Sequence, residues 1–68
     1  MKLLFQASNG SERVIAEVDN QDDVMAEINK FCNERDFSIP YVRCWGSLDD
    51  DGIWYDVSSH TEFFRLIN

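Results

Sequence analysis

Few side chains in this sequence carry the groups that catalysis needs, and spacing decides how far each can be taken. His60 is the single histidine. It stands inside Ser59-His60-Thr61-Glu62, the form of a capping box, in which the Ser and the Glu satisfy each other's backbone donors, so the imidazole reads as a spacer. Cys32 and Cys44 fall on positions that the periodicity assigns to a core, where thiols act as small hydrophobes. A Cys–His nucleophile requires one of them to be exposed beside His60. Zinc takes four ligands, and two isolated cysteines with one histidine do not supply them. Asp49-Asp50-Asp51-Gly52 has the look of a calcium loop. Setting Gly52 at that loop's glycine, however, puts Ser47 at the first ligand position and Ser58 where a bidentate Glu belongs. Three scattered glycines build no phosphate loop. The chain therefore reads as a non-enzyme that needs no metal and no cofactor.

Binding chemistry is better represented. Trp45 and Trp54 beside Arg43 and Arg13 offer faces on which bases stack. Against that stand 6 basic and 13 acidic residues, a formal net charge of −7, which repels the phosphates whose attraction supplies most nucleic-acid affinity. Direct nucleic-acid binding is not expected. The acids fall in groups: Asp19, Asp22, Asp23 and Glu27 around one helix start, Glu34 and Asp36 at its end, and Asp49, Asp50 and Asp51 in a turn. Carboxylates at a helix start answer its dipole, and Asp is a turn former. The sharper alternative is an acidic surface, carried by Asp22, Asp23, Asp49, Asp50 and Asp51, that fills the basic groove of a nucleic-acid enzyme and weakens with salt. In small size and strong acidity the chain resembles the small inhibitors of restriction or CRISPR nucleases made by bacteriophages. That resemblance lies in composition and involves no motif. It implies an inhibitor or regulator of a nucleic-acid enzyme.

These residues must be placed by one domain, since 68 residues, 1–68, leave no room for a second. No run approaches the ~18 apolar residues of a membrane span, and the apolar start Met1–Phe5 breaks at Gln6, too early for a secretory signal. Two cysteines without an export signal point to a reducing cytoplasm.

Asn9-Gly10 is a strong turn signal and predicts a hairpin over 1–18. A two-residue turn there pairs Gln6 with Arg13, Leu4 with Ile15 and Lys2 with Glu17 on one face. Phe5 then meets Val14, Leu3 meets Ala16, and Met1 meets Val18 on the other. A helix follows over 21–35, capped by Asn20, with Val24, Met25, Ile28, Phe31 and Cys32 forming one apolar stripe. Pro40 ends it, and Phe37 and Ile39 are expected to tuck the exit loop under the sheet. A second hairpin spans 41–57 around the Asp-Gly turn. Its one face carries Val42, Cys44, Gly46, Leu48, Ile53, Tyr55 and Val57, and the other Arg43, Trp45, Ser47, Trp54 and Asp56. The capping box opens a short last helix with Phe63, Phe64 and Ile67 inward, a strand over 61–67 being the competing reading. A faint repeat at an offset of 39 residues lays 15–28 on 54–67. The expected fold is α+β, ββαββα: a four-stranded antiparallel sheet of two hairpins with two helices on one face.

Such a fold leaves Leu4, Ile15, Trp45 and Trp54 on the uncovered face, edged by Lys2, Gln6, Arg13, Glu17, Arg43 and Asp56. Antiparallel sheets normally make that face polar, and a contiguous apolar patch marks an interaction site. Trp and Arg anchor interfaces more often than other residues. Leu4, Ile15, Arg43, Trp45 and Trp54 are thus the expected contacts of a protein-interaction module. Its occupant is a protein partner or a second copy, since a homodimer would relieve the marginal stability of so short a chain.

Overall fold

The computed structural model describes residues 1–36, 42–57 and 61–68. Strands β1 (Lys2–Gln6) and β2 (Glu12–Glu17) form the first hairpin. Its turn differs from the expected one. Gly10 takes φ +89° while Asn9 does not enter the left-handed region, so the type I′ turn, which needs positive φ at both residues, does not form. Instead the Gly10 N–H donates to the Ala7 carbonyl at 2.9 Å, the Ala7 N–H to the Ser11 carbonyl at 2.8 Å, and Asn9 Oδ1 accepts from the Ser11 N–H at 3.0 Å. The loop is three residues long, one more than a tight turn, and this shifts the pairing of its neighbours by one: Gln6 faces Glu12, Phe5 faces Arg13 and Leu4 faces Val14. A bulge opposite the Leu3–Leu4 step absorbs Ile15 and restores the expected partners, Leu3 with Ala16 and Lys2 with Glu17.

A 3₁₀ turn (Gln21–Asp23) leads into α1 (Val24–Asn33). Asn20 caps the turn, its side chain accepting from the Asp22 N–H at 2.9 Å. Val24, Ile28 and Cys32 are buried and Met25 and Phe31 partly so, as the stripe requires. Residues 37–41, including the expected tuck of Phe37 and Ile39, lie outside the described residues.

Strands β3 (Arg43–Ser47) and β4 (Gly52–Asp56) pair Arg43 with Asp56, Cys44 with Tyr55, Trp45 with Trp54 and Gly46 with Ile53. The expected division of this hairpin into faces is therefore correct. The expectation of a second helix is not. The last segment is a strand, β5 (Phe63–Ile67), and the fold is a five-stranded antiparallel sheet with a single short helix, not a four-stranded sheet with two. The burial of Phe63–Ile67 alternates, with Phe64 and Leu66 buried and Phe63, Arg65 and Ile67 half-buried. Phe63, Phe64 and Ile67 are of high β-propensity and suit a strand covered on one face and crowded on the other. A short apolar run does not distinguish strand from helix by periodicity alone. The offset repeat, which laid this segment on α1, thus marks no structural repeat.

The strand order is β2-β1-β5-β4-β3. The chain leaves one edge after β2, crosses a face of the sheet through α1, enters the opposite edge as β3 and returns by hairpins to the centre. Leu3, Phe5, Ile53, Tyr55, Phe64 and Leu66 meet Val24, Ile28 and Cys32 in the core on the helical face. Phe5, Phe31 and Phe64 form a ring cluster there, with centroids 4.8–5.6 Å apart.

Candidate functional site

With α1 on one face, strand pairing dictates what the other face carries. Facing residues in antiparallel strands share a face, so the register lays out three rows across the sheet. The middle row runs Val14, Leu4, Arg65, Trp54, Trp45, from edge β2 to edge β3. One flanking row holds Glu12, Gln6, Phe63, Asp56 and Arg43. The other holds Glu17, Lys2, Ile67, Gly52 and Ser47. Among the described residues no helix covers these rows.

Leu4, Val14, Trp45, Trp54, Phe63 and Ile67 make the face apolar through its middle. Val14 and Trp45 at the two edges are the open ends, 51% and 46% exposed, whereas Leu4 between them is 9% exposed. The Phe63 ring stands edge-on to both indoles, 6.2 Å from Trp45 and 6.4 Å from Trp54, an arrangement that the aromatic quadrupole favours.

Arg65 occupies the centre. Its Nη2 pairs with Glu12 Oε1 at 2.8 Å, its Nη1 donates to the Asp51 carbonyl at 3.2 Å, and its guanidinium sits 5.1 Å from the Trp54 ring. At one corner Arg43 Nη2 pairs with Asp56 Oδ2 at 2.6 Å; Asp56 is buried, and the arginine reaches out with 68% of its side chain exposed.

Of the expected interaction residues, Leu4, Arg43, Trp45 and Trp54 come together here. Ile15 does not: the bulge turns it to the helical side, where it packs against the core, and Val14 takes its place. Arg13 leaves this face because the three-residue loop pairs it with Phe5, its guanidinium lying 5.8 Å from the Phe31 ring. Phe63, Arg65 and Ile67 were hidden from sequence reasoning by the helix assigned to them. The signal that could have found them was the i, i+2 spacing of Phe64 and Leu66.

The helical side carries a cleft of about 170 Å³ lined by Phe5, Phe31, Cys32, Arg35, Val57, Glu62 and Phe64. Arg35 stacks 4.4 Å from the Phe31 ring. Burial pushes the Cys32 thiol above its ordinary range, with Arg35 opposing and Glu62 adding to the rise, which disfavours the thiolate a nucleophile needs. Cys44 is exposed on edge strand β3, contrary to the core position expected of it, because nothing described lies over that edge. Burial likewise raises the Tyr55 phenol, against a 3.4 Å hydrogen bond from the Gln21 amide.

Asp22 and Asp23 follow β2, and Asp49, Asp50 and Asp51 join β3 to β4. Both groups are exposed at the same end of the sheet but on opposite edges, four strand spacings or roughly 19 Å apart. Among the described residues no three His, Cys, Asp or Glu gather as metal ligands, and no helix is long and apolar enough to cross a membrane. Comparison with protein-family models, with curated proteins and with solved structures gave no match.

Proposed function

We propose that this protein is a small, non-enzymatic, cytoplasmic interaction module whose open sheet face docks a protein surface that is apolar and carries no net charge. One observation carries the reading: a row of Val14, Leu4, Arg65, Trp54 and Trp45 crosses all five strands on the side away from α1, with large apolar side chains exposed at both ends. Solvent-facing sheet faces are ordinarily polar, and aromatic and arginine side chains in such a patch are the usual anchors of interfaces. The cytoplasmic placement draws on two free thiols, one of them exposed.

The test compares wild type with Trp45→Lys and Val14→Lys in capture from an extract of the native host, with far-UV circular dichroism confirming the fold. Captured proteins lost with either substitution support the reading. Capture unchanged by both removes the face as the docking surface. The acidic groups support a second reading, an inhibitor seated in the nucleic-acid site of an enzyme, because the chain's whole net charge lies off the open face. That binding collapses as ionic strength rises, whereas contact through an apolar face persists.

A further inference from the structure

We infer that the occupant of the open face is a second copy of this chain, stacked face to face about a two-fold axis. This rests on the docking role just proposed for that face and adds the identity of the partner. What selects a copy is where the charge sits. Lys2, Arg43 and Arg65 on the open face balance Glu12, Glu17 and Asp56, and each of these bases faces or pairs with one of these acids. The ten remaining acids and three remaining bases therefore hold all of the −7, on α1, in the turns and toward the helical side.

Two copies meeting through any of those other surfaces bring like charges together. Face-to-face stacking does the opposite. Layers pack roughly 10 Å apart, so the two helical layers end up roughly 30 Å from each other, more than three Debye lengths at physiological salt. Arg65, the one charge at the middle of the face, meets its symmetry mate at the axis as half of an ion pair with Glu12, its guanidinium set against the Trp54 ring. A two-fold axis perpendicular to the strands sets Trp45 of one copy over Trp45 of the other and Val14 over Val14, and carries the Asp22–Asp23 and Asp49–Asp51 end of one copy to the opposite end of the other. Trp45 and Val14 are the two most exposed large apolar residues of the face.

Size decides the strength. Five strands of five or six residues present a face of about 24 by 17 Å, or roughly 400 Å². That is half of the about 800 Å² that each partner buries in a stable complex. The dimer is therefore transient and forms at high micromolar concentration.

Sedimentation equilibrium of the full chain from about 10 µM to about 1 mM tests this in the range that so small an interface implies. The wild type is expected to rise from the chain mass toward twice that mass, and Trp45→Lys and Val14→Lys to stay monomeric while keeping the wild-type circular dichroism. Raising salt from about 0.05 to about 0.5 M tightens the dimer, because it screens the repulsion between two bodies of charge −7. A wild type monomeric to about 1 mM at both salt concentrations overturns the self-association and leaves the docking face to be judged by the capture comparison. A dimer that both variants form as readily as wild type uses another surface and overturns the inference, the docking role again resting on the capture comparison.

Discussion

Phe63 and Phe64 are neighbours of the same type, and the structure assigns them opposite fates. Phe64 is 2% exposed and contacts Phe5 and Phe31 at centroid distances of 5.5 and 5.6 Å. Phe63 is half-buried on the open face and touches Trp45 and Trp54 only edge-on. Truncating a buried Phe to Ala costs about 3–5 kcal/mol. A chain of this length has only about 3–10 kcal/mol in all, so Leu is the informative substitution. Phe64→Leu keeps aliphatic bulk and loses two buried ring pairs worth about 0.5–1.5 kcal/mol each, a loss of about 1–3 kcal/mol. Phe63→Leu loses looser contacts on a wetter face and costs less than about 1 kcal/mol. In urea, with a slope near 1 kcal/mol per molar, the midpoint falls by about 1–3 M for Phe64→Leu and by less than about 1 M for Phe63→Leu. Circular dichroism melts of both variants read this directly. If Phe63→Leu is as damaging as Phe64→Leu, the two rings share one apolar side, as in a helix, and the placement of β5 is wrong.

Burial and backbone geometry dictate three further outcomes. A thiol reagent at neutral pH modifies Cys44 promptly and Cys32 only on unfolding, since the first is exposed and the second is buried with its thiol held above the ordinary value of 9.0; two equally fast thiols contradict this. Cys32 and Tyr55 both have folded-state values raised by burial, Tyr55 above its ordinary 10.0. Their contribution is therefore complete below the unfolded values and drains away as pH climbs through the raised ones, so urea midpoints measured from neutral to strongly alkaline pH should fall above about pH 9. Gly52→Ala forces a methyl group into the Leu66 carbonyl oxygen at a residue with φ +104°. It should destabilise by more than about 2 kcal/mol, since the left-handed conformation alone costs about 1–2; a neutral melt would show that β4 and β5 do not approach so closely.

How much of this was legible in the sequence depended on local chemistry. The second hairpin declared its faces because an even loop length preserves parity, and Trp45 and Trp54 land opposite each other as counted. The helix declared itself through a single stripe and an Asn cap. The first hairpin was half legible. Asn9-Gly10 does mark the turn, but Gly10 alone takes the left-handed conformation, and the resulting extra residue is cancelled by a bulge only at Ile15. No local signal announces the extra loop residue or where the bulge will fall, so Arg13, Val14 and Ile15 were all assigned to the wrong side. β5 was misread for a non-local reason. A helix start and a strand over 61–67 use the same apolar residues, and β1, one of the two strands that flank β5, is distant in sequence. With β5 missed, Phe63, Arg65 and Ile67 could not be counted on the open face, although Arg65 is its centre.

The self-docking face is tested most directly by residue-resolved chemical shifts of the wild-type chain, followed from about 10 µM to about 1 mM, the span over which a roughly 400 Å² contact should fill. Concentration-dependent shifts at Val14, Leu4, Arg65, Trp54 and Trp45, with the two indole N–H signals among the largest and α1 unmoved, are the expected pattern. Shifts gathered on α1 and the Asp49–Asp51 turn, or none at any concentration, would contradict it.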